Sequence, residues 1–292
     1  MRIFILGLRR SGTTIFWETF RSDPRLFCLD EPFNPLLREL PLEHEKRTRR
    51  EFIEMFRRDP DRFWKAYAPI GRIEELQEDL HDRQLGYLRF LLDSAEHVVL
   101  DTTRCHFKIR SLHHVAPDAI LVHLYRPAVA FASSHAAPTS KGWLGRAKTL
   151  YDRHRFFHRP DRYGAWGIEE LIGNSPQSLF GLRLRTAGME PSRIYEMPAP
   201  GRLLAYWWLH FREIEEQGAR IFGDRFLSVR FDDFCRDPAS VVSSIYRTAG
   251  VPEPKLEFDA IHPPNRGYRP QDRRWSILAQ RVGIPGDTGL LV

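Results

Sequence analysis

The chain has 292 residues, 42% of them hydrophobic, enough for one large domain with a buried core, which excludes disorder as the default state. A formal net charge of +6 favours anionic ligands, yet the arginines are spread along the chain with no long basic tail or helix-turn-helix pattern, so nucleic acid is not the expected partner. Three scattered cysteines, Cys28, Cys105 and Cys235, exclude a C-x-x-C metal or redox pair and suit buried, reduced thiols. Residues 2–6 read as a short buried strand ended by Gly7. A strand that starts so early leaves no room for a signal peptide, and no apolar run approaches the ~20 residues of a membrane span. A soluble, cytoplasmic protein is the expectation.

A helix is expected over 12–21, with Ile15, Phe16 and Phe20 on one face. "LFCLDEPFNPLL" follows: a second strand from Leu26 to Leu29, with Asp30 and Glu31 at its C-terminal end and Pro32 and Pro35 stopping further pairing. Residues 39–66 read as charged helix with a solvated face, and 73–95 as one amphipathic helix. Val98 to Leu100 is a strand ending in Asp101-Thr102-Thr103-Arg104; Ile120 to Tyr125 is another, turning at Arg126-Pro127 into a helix. Residues 138–200 are rich in Gly, Pro, Trp, Tyr and Arg and lack buried-strand runs, so an insertion or lid is expected there. Its aromatics, Trp143, Tyr151, Phe156, Phe157, Tyr163 and Trp166, suit an acceptor pocket or a local core equally. Helix resumes in "LLAYWWLHFREIEEQ". "RFLSVRFDDF" reads as a strand with an acidic end, and "DPASVVSSIYRTAGV" as a helix capped by Asp237 and stopped by Gly250. The tail "IHPPNRGYRPQDRRW" reads as an arginine-rich loop.

Strands alternating with helices predict an α/β fold with a central parallel sheet covered on both faces. Ligands of such folds bind beyond the carboxyl ends of the strands. Arg9-Arg10-Ser11, Asp30-Glu31, Asp101 to Arg104 and Arg126 are all placed there by topology.

Gly7-Leu8-Arg9-Arg10-Ser11-Gly12-Thr13-Thr14 has the spacing of a phosphate-binding loop, G-x-x-x-x-G-K-[ST], at Gly7, Gly12 and Thr14. Thr13 stands where that pattern has lysine, and an arginine pair lies inside the loop instead. The two glycines allow a tight turn whose N–H groups point inward, and the following helix adds its positive end, so a phosphate or sulfate fits.

With Arg126 at a strand end and Ser134 eight residues later, the chain resembles the sulfotransferases that use 3′-phosphoadenosine-5′-phosphosulfate (PAPS). Arg10-Ser11-Gly12-Thr13-Thr14 matches their (K/R)-S-G-T-T loop for the 5′-phosphosulfate, and "RPAVAFASS" matches their Arg and Ser contacts to the 3′-phosphate. "FCLDEPF" is similar to the acidic E-P segment of the carbohydrate-type and bacterial branches, and "VRFDDFCRDPASVVSSIYRTAGVP" to the family's last strand and helix. Arg266-Gly267 is similar to a late Arg-Gly contact to the 3′-phosphate. The resemblance covers residues 1–37, 96–136 and 200–255. It implies a three-layer sandwich like that of the P-loop nucleotide-triphosphatases, with a mostly helical or loop insertion. The whole of 1–292 is then a single domain, 138–200 its acceptor-side insertion or lid, and 261–292 a tail near the nucleotide.

The resemblance also implies an enzyme that moves a sulfuryl group from PAPS to an acceptor hydroxyl by in-line displacement, leaving 3′,5′-adenosine bisphosphate, with no metal. Arg10 and the loop N–H groups would stabilise charge on the bridging oxygen; Arg9 would contact the nucleotide, the acceptor or only the surface. Glu31 is the candidate base, with Asp30 its substitute. His106 lies near the place where histidine-using branches keep theirs, and His135 beside Ser134 reads as a neighbour of the nucleotide. Arg104 is a candidate for contacting the sulfuryl group or acceptor, or for pairing with Asp101 or Glu31. A carbohydrate or small-molecule alcohol, natural products included, is the expected acceptor. Two other readings stay open: a P-loop small-molecule kinase, against which the missing lysine counts, and a non-catalytic nucleotide- or nucleic-acid-binding protein, which leaves Glu31 unexplained.

Overall fold

The computed structural model describes residues 1–38, 49–135, 168–256, 258, 261, 273–286 and 289–291. Within them five short strands make one sheet: β1 (Arg2–Leu6), β2 (Phe27–Leu29), β3 (Val98–Asp101), β4 (Ile120–Tyr125) and β5 (Phe226–Arg230). Their order is β2-β3-β1-β4-β5 and every pair is parallel. β1 is central: Ile3 lies opposite Val99 on one side and Ile120 on the other. The next strand in the chain, β2, goes to one side of β1, and β4 to the other, so the chain reverses direction across the sheet at the end of β1.

The strands read as unbroken apolar runs because both faces are buried. Alternate side chains go to opposite sides, as strand geometry requires. Phe4, Leu6, Leu29, Leu100 and Leu121 enter one core, which is closed by Phe52 of α2 (Arg50–Arg58), Phe63 of α3 (Pro60–Ala66), Tyr87, Leu88 and Leu91 of α5 (Asp82–Leu92) and Leu112 of α6 (Ile109–Val115). Ile3, Ile5, Cys28, Val99 and Val122 enter the other, closed by Phe16, Trp17 and Phe20 of α1 (Thr13–Arg21), Phe234 of α12 (Phe231–Arg236) and Val242, Ile245 and Tyr246 of α13 (Pro238–Ala249). The result is an α/β three-layer arrangement. Each of the three α1 side chains is fully buried, a contribution of roughly 1.5–3 kcal/mol apiece relative to exposure.

By contacts the chain divides into two units: Met1–Tyr125 with Glu213–Pro264, and Arg126–Arg212 with Asn265–Val292. The first holds the sheet. The described part of the second is helical: α7 (Ala128–Ser134), α8 (Ile168–Ile172), α9 (Leu179–Thr186), α10 (Pro191–Tyr195), the start of α11 (Ala199–Phe222) and α14 (Arg273–Val282). In its core Tyr206 stacks on Phe131 and meets Phe180 at a tilt, and the N–H groups of Ala128 and Val129 donate to Leu290 and Leu291 carbonyls at 2.8 and 3.1 Å.

Several elements differ from the expectations. Ile15 is 44% exposed, because the stripe that α1 buries is Phe16, Trp17 and Phe20, spaced by one helical turn. The expected helix over 73–95 is two: α4 (Arg72–Glu75), then a turn through Asp79 at φ 57°, then α5. His81 restarts the helix by accepting from Gln84 N–H through Nδ1 at 3.4 Å. The described part of 39–66 breaks at Asp59, whose carboxylate caps α3 by accepting from Arg62 N–H at 3.0 Å. The acidic end expected for β5 is instead the first turn of α12, where Asp232 and Asp233 favour the helix dipole. Residues 273–275 of the expected tail loop begin α14. All three cysteines are free and buried. No helix among the described residues is long and apolar enough to cross a membrane.

Candidate functional site

The loop from Gly7 to Gly12 connects the end of β1 to the start of α1. A Cβ on Gly7 would stand 2.6 Å from the Leu124 carbonyl oxygen of β4 and 2.6 Å from Thr13 Cγ2. Gly12 has φ 95°, and a Cβ there would meet the Phe231 ring at 2.3–2.6 Å. Each glycine is thus required by a close approach. Arg10 also holds the left-handed region, at φ 73°, and Ser11 N–H donates to Leu8 O at 3.0 Å, which closes the turn. Gly12 caps α1 without a side chain, and the first turn carries no acid. The positive end of a nine-residue helix is therefore left to an anion. Arg10 and Thr14 are exposed at this turn, while Ser11 and Thr13 are buried in it.

Beside the loop, at the ends of β2 and β3, stands a carboxylate cluster. Glu31 is half-buried and adopts φ 44°, so two of the three described non-glycine residues with positive φ, Arg10 and Glu31, lie at this edge. Such backbone costs of order 1–3 kcal/mol and concentrates at functional sites. Glu31 Oε2 accepts from Asn34 Nδ2 at 2.5 Å, and Glu31 O from Asn34 N–H at 3.0 Å. Arg49 donates to the Asp30 main-chain carbonyl and lies 3.6 Å from its carboxylate, so Asp30 is engaged with a buried guanidinium.

Asp101, at the end of β3, is fully buried. Thr103 Oγ1 donates to its Oδ1, while Oδ2 has no hydrogen-bond partner among the described residues. Burial first, then the charges of Asp30 and Glu31, push its carboxyl well above the ordinary range; the hydroxyls of Thr103 and Thr13 act the other way. Arg104, 7% exposed, pairs with Glu75 of α4, and Arg9 Nη2 reaches the same oxygen at 2.6 Å. Arg104 therefore meets neither Asp101 nor Glu31 directly; its Nη2 donates at 3.4 Å to Asn34 Oδ1. Burial lowers the Arg104 pKa from its ordinary value and Glu75 opposes that shift. His106 is buried behind the loop, where Nε2 donates to Gly7 O at 3.2 Å.

Arg126 and Ser134 belong to the second unit. The Arg126 carbonyl accepts from Trp207 Nε1 at 2.9 Å, and Ser134 Oγ donates to Phe131 O at 2.6 Å. His135 is buried against Phe131, ring centroids 4.7 Å apart. Arg266, Gly267 and the aromatics Trp143 to Trp166 lie outside the described residues. No group of three or more His, Cys, Asp or Glu among the described residues is arranged to hold a metal ion.

Two residues of the cluster escaped the sequence reading. Asn34 had a signal, an Asn-Pro pair just after the E-P segment, which marks a side-chain-stabilised turn. Glu75 had none: an acid in "RIEEL" reads as a solvated helix face, and only folding buries it between two arginines.

A parallel α/β sheet with a tight glycine loop after its central strand and a carboxylate cluster beside it is the class of fold and site that the structure defines. The model of the sulfotransferase family matches residues 2–163, more than half of the chain, and the chain belongs to that family. Solved structures similar to it include the sulfotransferase domain from the curacin biosynthetic pathway, with TM-score 0.48 and 16% identity over 86% of this chain and 74% of that one. The sulfotransferase domain of the Synechococcus PCC 7002 olefin synthase gives TM-score 0.46 and 19% identity over 87% and 74%. A sulfotransferase from Alicyclobacillus acidocaldarius gives 0.42 and 14% over 97% and 92%. No curated protein matches the chain.

Proposed function

We propose that this sulfotransferase takes its sulfuryl group from PAPS and moves it to the hydroxyl of a carbohydrate or small-molecule alcohol, releasing 3′,5′-adenosine bisphosphate. The observation that carries this is the loop: Gly7 and Gly12 leave a cradle that a Cβ would fill, and the uncapped, acid-free start of α1 opens onto it. The donor supplies an activated sulfuryl group joined to phosphate through a bridging oxygen. Loop N–H groups, Ser11, Thr13, Thr14 and the Arg10 guanidinium neutralise the oxygens of that phosphosulfate, above all the bridging one, which gains charge as the S–O bond breaks. Arg9, tethered to Glu75, adds positive potential from the back of the loop. Glu31 receives the proton of the acceptor hydroxyl as its oxygen approaches sulfur. Positioning and electrostatics supply most of the acceleration, as in phosphoryl transfer, and no metal is called for.

Arg126 and Ser134 are assigned to the 3′-phosphate on their motif, with Arg266 and Gly267 as a further contact. His106, through its bond to Gly7, supports the loop, and Arg104 remains a candidate for contacting the sulfuryl group or the acceptor. The same reading makes the whole chain one functional domain, with 138–200 serving the acceptor and 261–292 the nucleotide, in the cytoplasm. The test is thermal stability with 3′,5′-adenosine bisphosphate, ADP or ATP with magnesium. At ~100 times its dissociation constant a ligand stabilises by about 2.7 kcal/mol, a shift of several degrees in a protein of this size. A shift with the bisphosphate alone is expected; a shift with ATP and magnesium alone would replace this reading with a kinase.

A further inference from the structure

Glu31 sits on a turn, has three rotatable side-chain bonds and is half-exposed. A base of that kind samples many rotamers unless something holds it, and general-base catalysis needs its oxygen within hydrogen-bond reach of the acceptor hydroxyl. One neighbouring side chain meets that need. We propose that Asn34 is a positioning residue: its amide fixes the Glu31 carboxylate in the orientation from which it takes the acceptor's proton, and the buried Arg104–Glu75 pair steadies Asn34 in turn. The proposal rests on the sulfuryl-transfer reading for the role of Glu31, and on geometry alone for the hold.

Asn34 is 8% exposed and engaged at every polar atom. Oδ1 accepts from Leu36 N–H at 3.1 Å and, more weakly, from Arg104 Nη2 at 3.4 Å. Both partners are donors, so they fix which end of the amide is oxygen. The NH2 group must then face the other way, and it meets Glu31 Oε2 at 2.5 Å. The main chain is pinned as firmly: Asn34 N–H donates to Glu31 O at 3.0 Å, and the buried Tyr67 hydroxyl donates to Asn34 O at 2.8 Å. With Oε2 engaged by the amide, Oε1 is the oxygen left for the acceptor.

The support extends to the phosphate loop. The Arg104 guanidinium is set by Glu75 Oε1, which also receives Arg9 Nη2 at 2.6 Å. Glu75 is 1% exposed on α4, a single turn held at both ends. Glu74 Oε2 accepts from Gly71 N–H at 2.6 Å, and buried Lys108 Nζ donates to the Glu74 and Gln77 carbonyls at 2.7 Å each. One buried anion thus ties the donor loop, through Arg9, to the base, through Arg104 and Asn34.

Asn34→Asp separates this role from a merely structural one. It keeps an acceptor toward Leu36 and Arg104 but replaces the donor facing Glu31 with a second carboxylate oxygen. The full-length protein is assayed with PAPS and three probe acceptors, N-acetylglucosamine, 1-octanol and phenol, and its bisphosphate affinity is measured by calorimetry. Asn34→Asp and Asn34→Ala are expected to lower kcat by about 10- to 100-fold, the worth of a hydrogen bond to a charged group, and to leave bisphosphate affinity unchanged. Combined with Glu31→Gln, either change should add little further loss. Wild-type kcat in Asn34→Asp, or losses that multiply, would overturn the proposal. If the wild type sulfates no probe, or fails to bind the bisphosphate, the sulfuryl reading is what suffers. The hold is then decided by the carboxyl 13C resonance of Glu31, assigned by its loss in Glu31→Gln: movement in Asn34→Asp supports it, and an unmoved signal overturns it.

Discussion

Arg10 and Glu31 share an unusual backbone state for residues with side chains, and both lie at the carboxyl edge of the sheet. In the proposed mechanism their side chains have opposite tasks, one stabilising charge and the other accepting a proton. Arg10→Ala and Glu31→Gln should each fold normally and lower sulfuryl transfer by roughly 10²–10⁴-fold; near-normal turnover in Glu31→Gln would remove that residue from the base role. Asp101 makes a separate, pH-dependent prediction. Burial and its acidic neighbours raise its carboxyl above the ordinary value, so folding favours the protonated form. The resulting penalty is absent below the ordinary carboxylate pKa of about 3.9 and grows as pH rises toward the folded value. Asp101→Asn removes it. The melting-temperature difference between variant and wild type should therefore move in the variant's favour from pH 4 to pH 8, and a flat difference would show that the carboxyl is not shifted.

The elements that matter are short, and each is held at its ends. The β1–α1 loop depends on a glycine against an aromatic ring. Gly12→Ala combines a left-handed alanine, roughly 1–2 kcal/mol, with overpacking against Phe231, roughly 1–3 kcal/mol. A fall in melting temperature together with loss of bisphosphate binding is expected; a stable variant that still binds would mean the loop is softer than its contacts indicate. α4 has four residues, too few to stand by propensity, and it is defined by what it presents, Glu75. Glu75→Ala leaves two guanidiniums close together in a buried place and should cost on the order of 3–5 kcal/mol in urea unfolding. Elements with local signals were readable in advance. β4 runs from Ile120 to Tyr125 as its apolar run indicates, and α13 lies between the Asp237 cap, which accepts from Ser240 N–H at 3.0 Å, and left-handed Gly250. The break between α4 and α5 was not readable, because periodicity carries smoothly across a turn that is made by Asp79 and His81.

At the scale of the whole molecule Arg126 and Ser134, proposed for the 3′-phosphate on their motif, fall in the second unit. Arg126→Ala should weaken 3′,5′-adenosine bisphosphate by about 10- to 100-fold, as expected for a lost charge-assisted contact, and leave adenosine 5′-monophosphate unaffected; unchanged discrimination between the two would refute the 3′-phosphate assignment. The class of fold and the glycine turn between β1 and α1 were legible in the chain because their causes are local. Apolar strands of five or six residues need no distant information to declare themselves, and Gly7, Ser11, Gly12 and Thr14 are close neighbours in one turn. The place of Glu31 just beyond the end of β2 was legible from the apolar run before it and the proline after it. The order β2-β3-β1-β4-β5, the burial of Asp101 and the pairing of Glu75 with both Arg9 and Arg104 depend on residues 29 to 66 or more positions apart being brought together. Local propensity carries no record of such pairings. They arise when hydrophobic burial closes the sheet, and removal from water is what makes a lone Glu75, unremarkable in the chain, the anion on which two arginines converge.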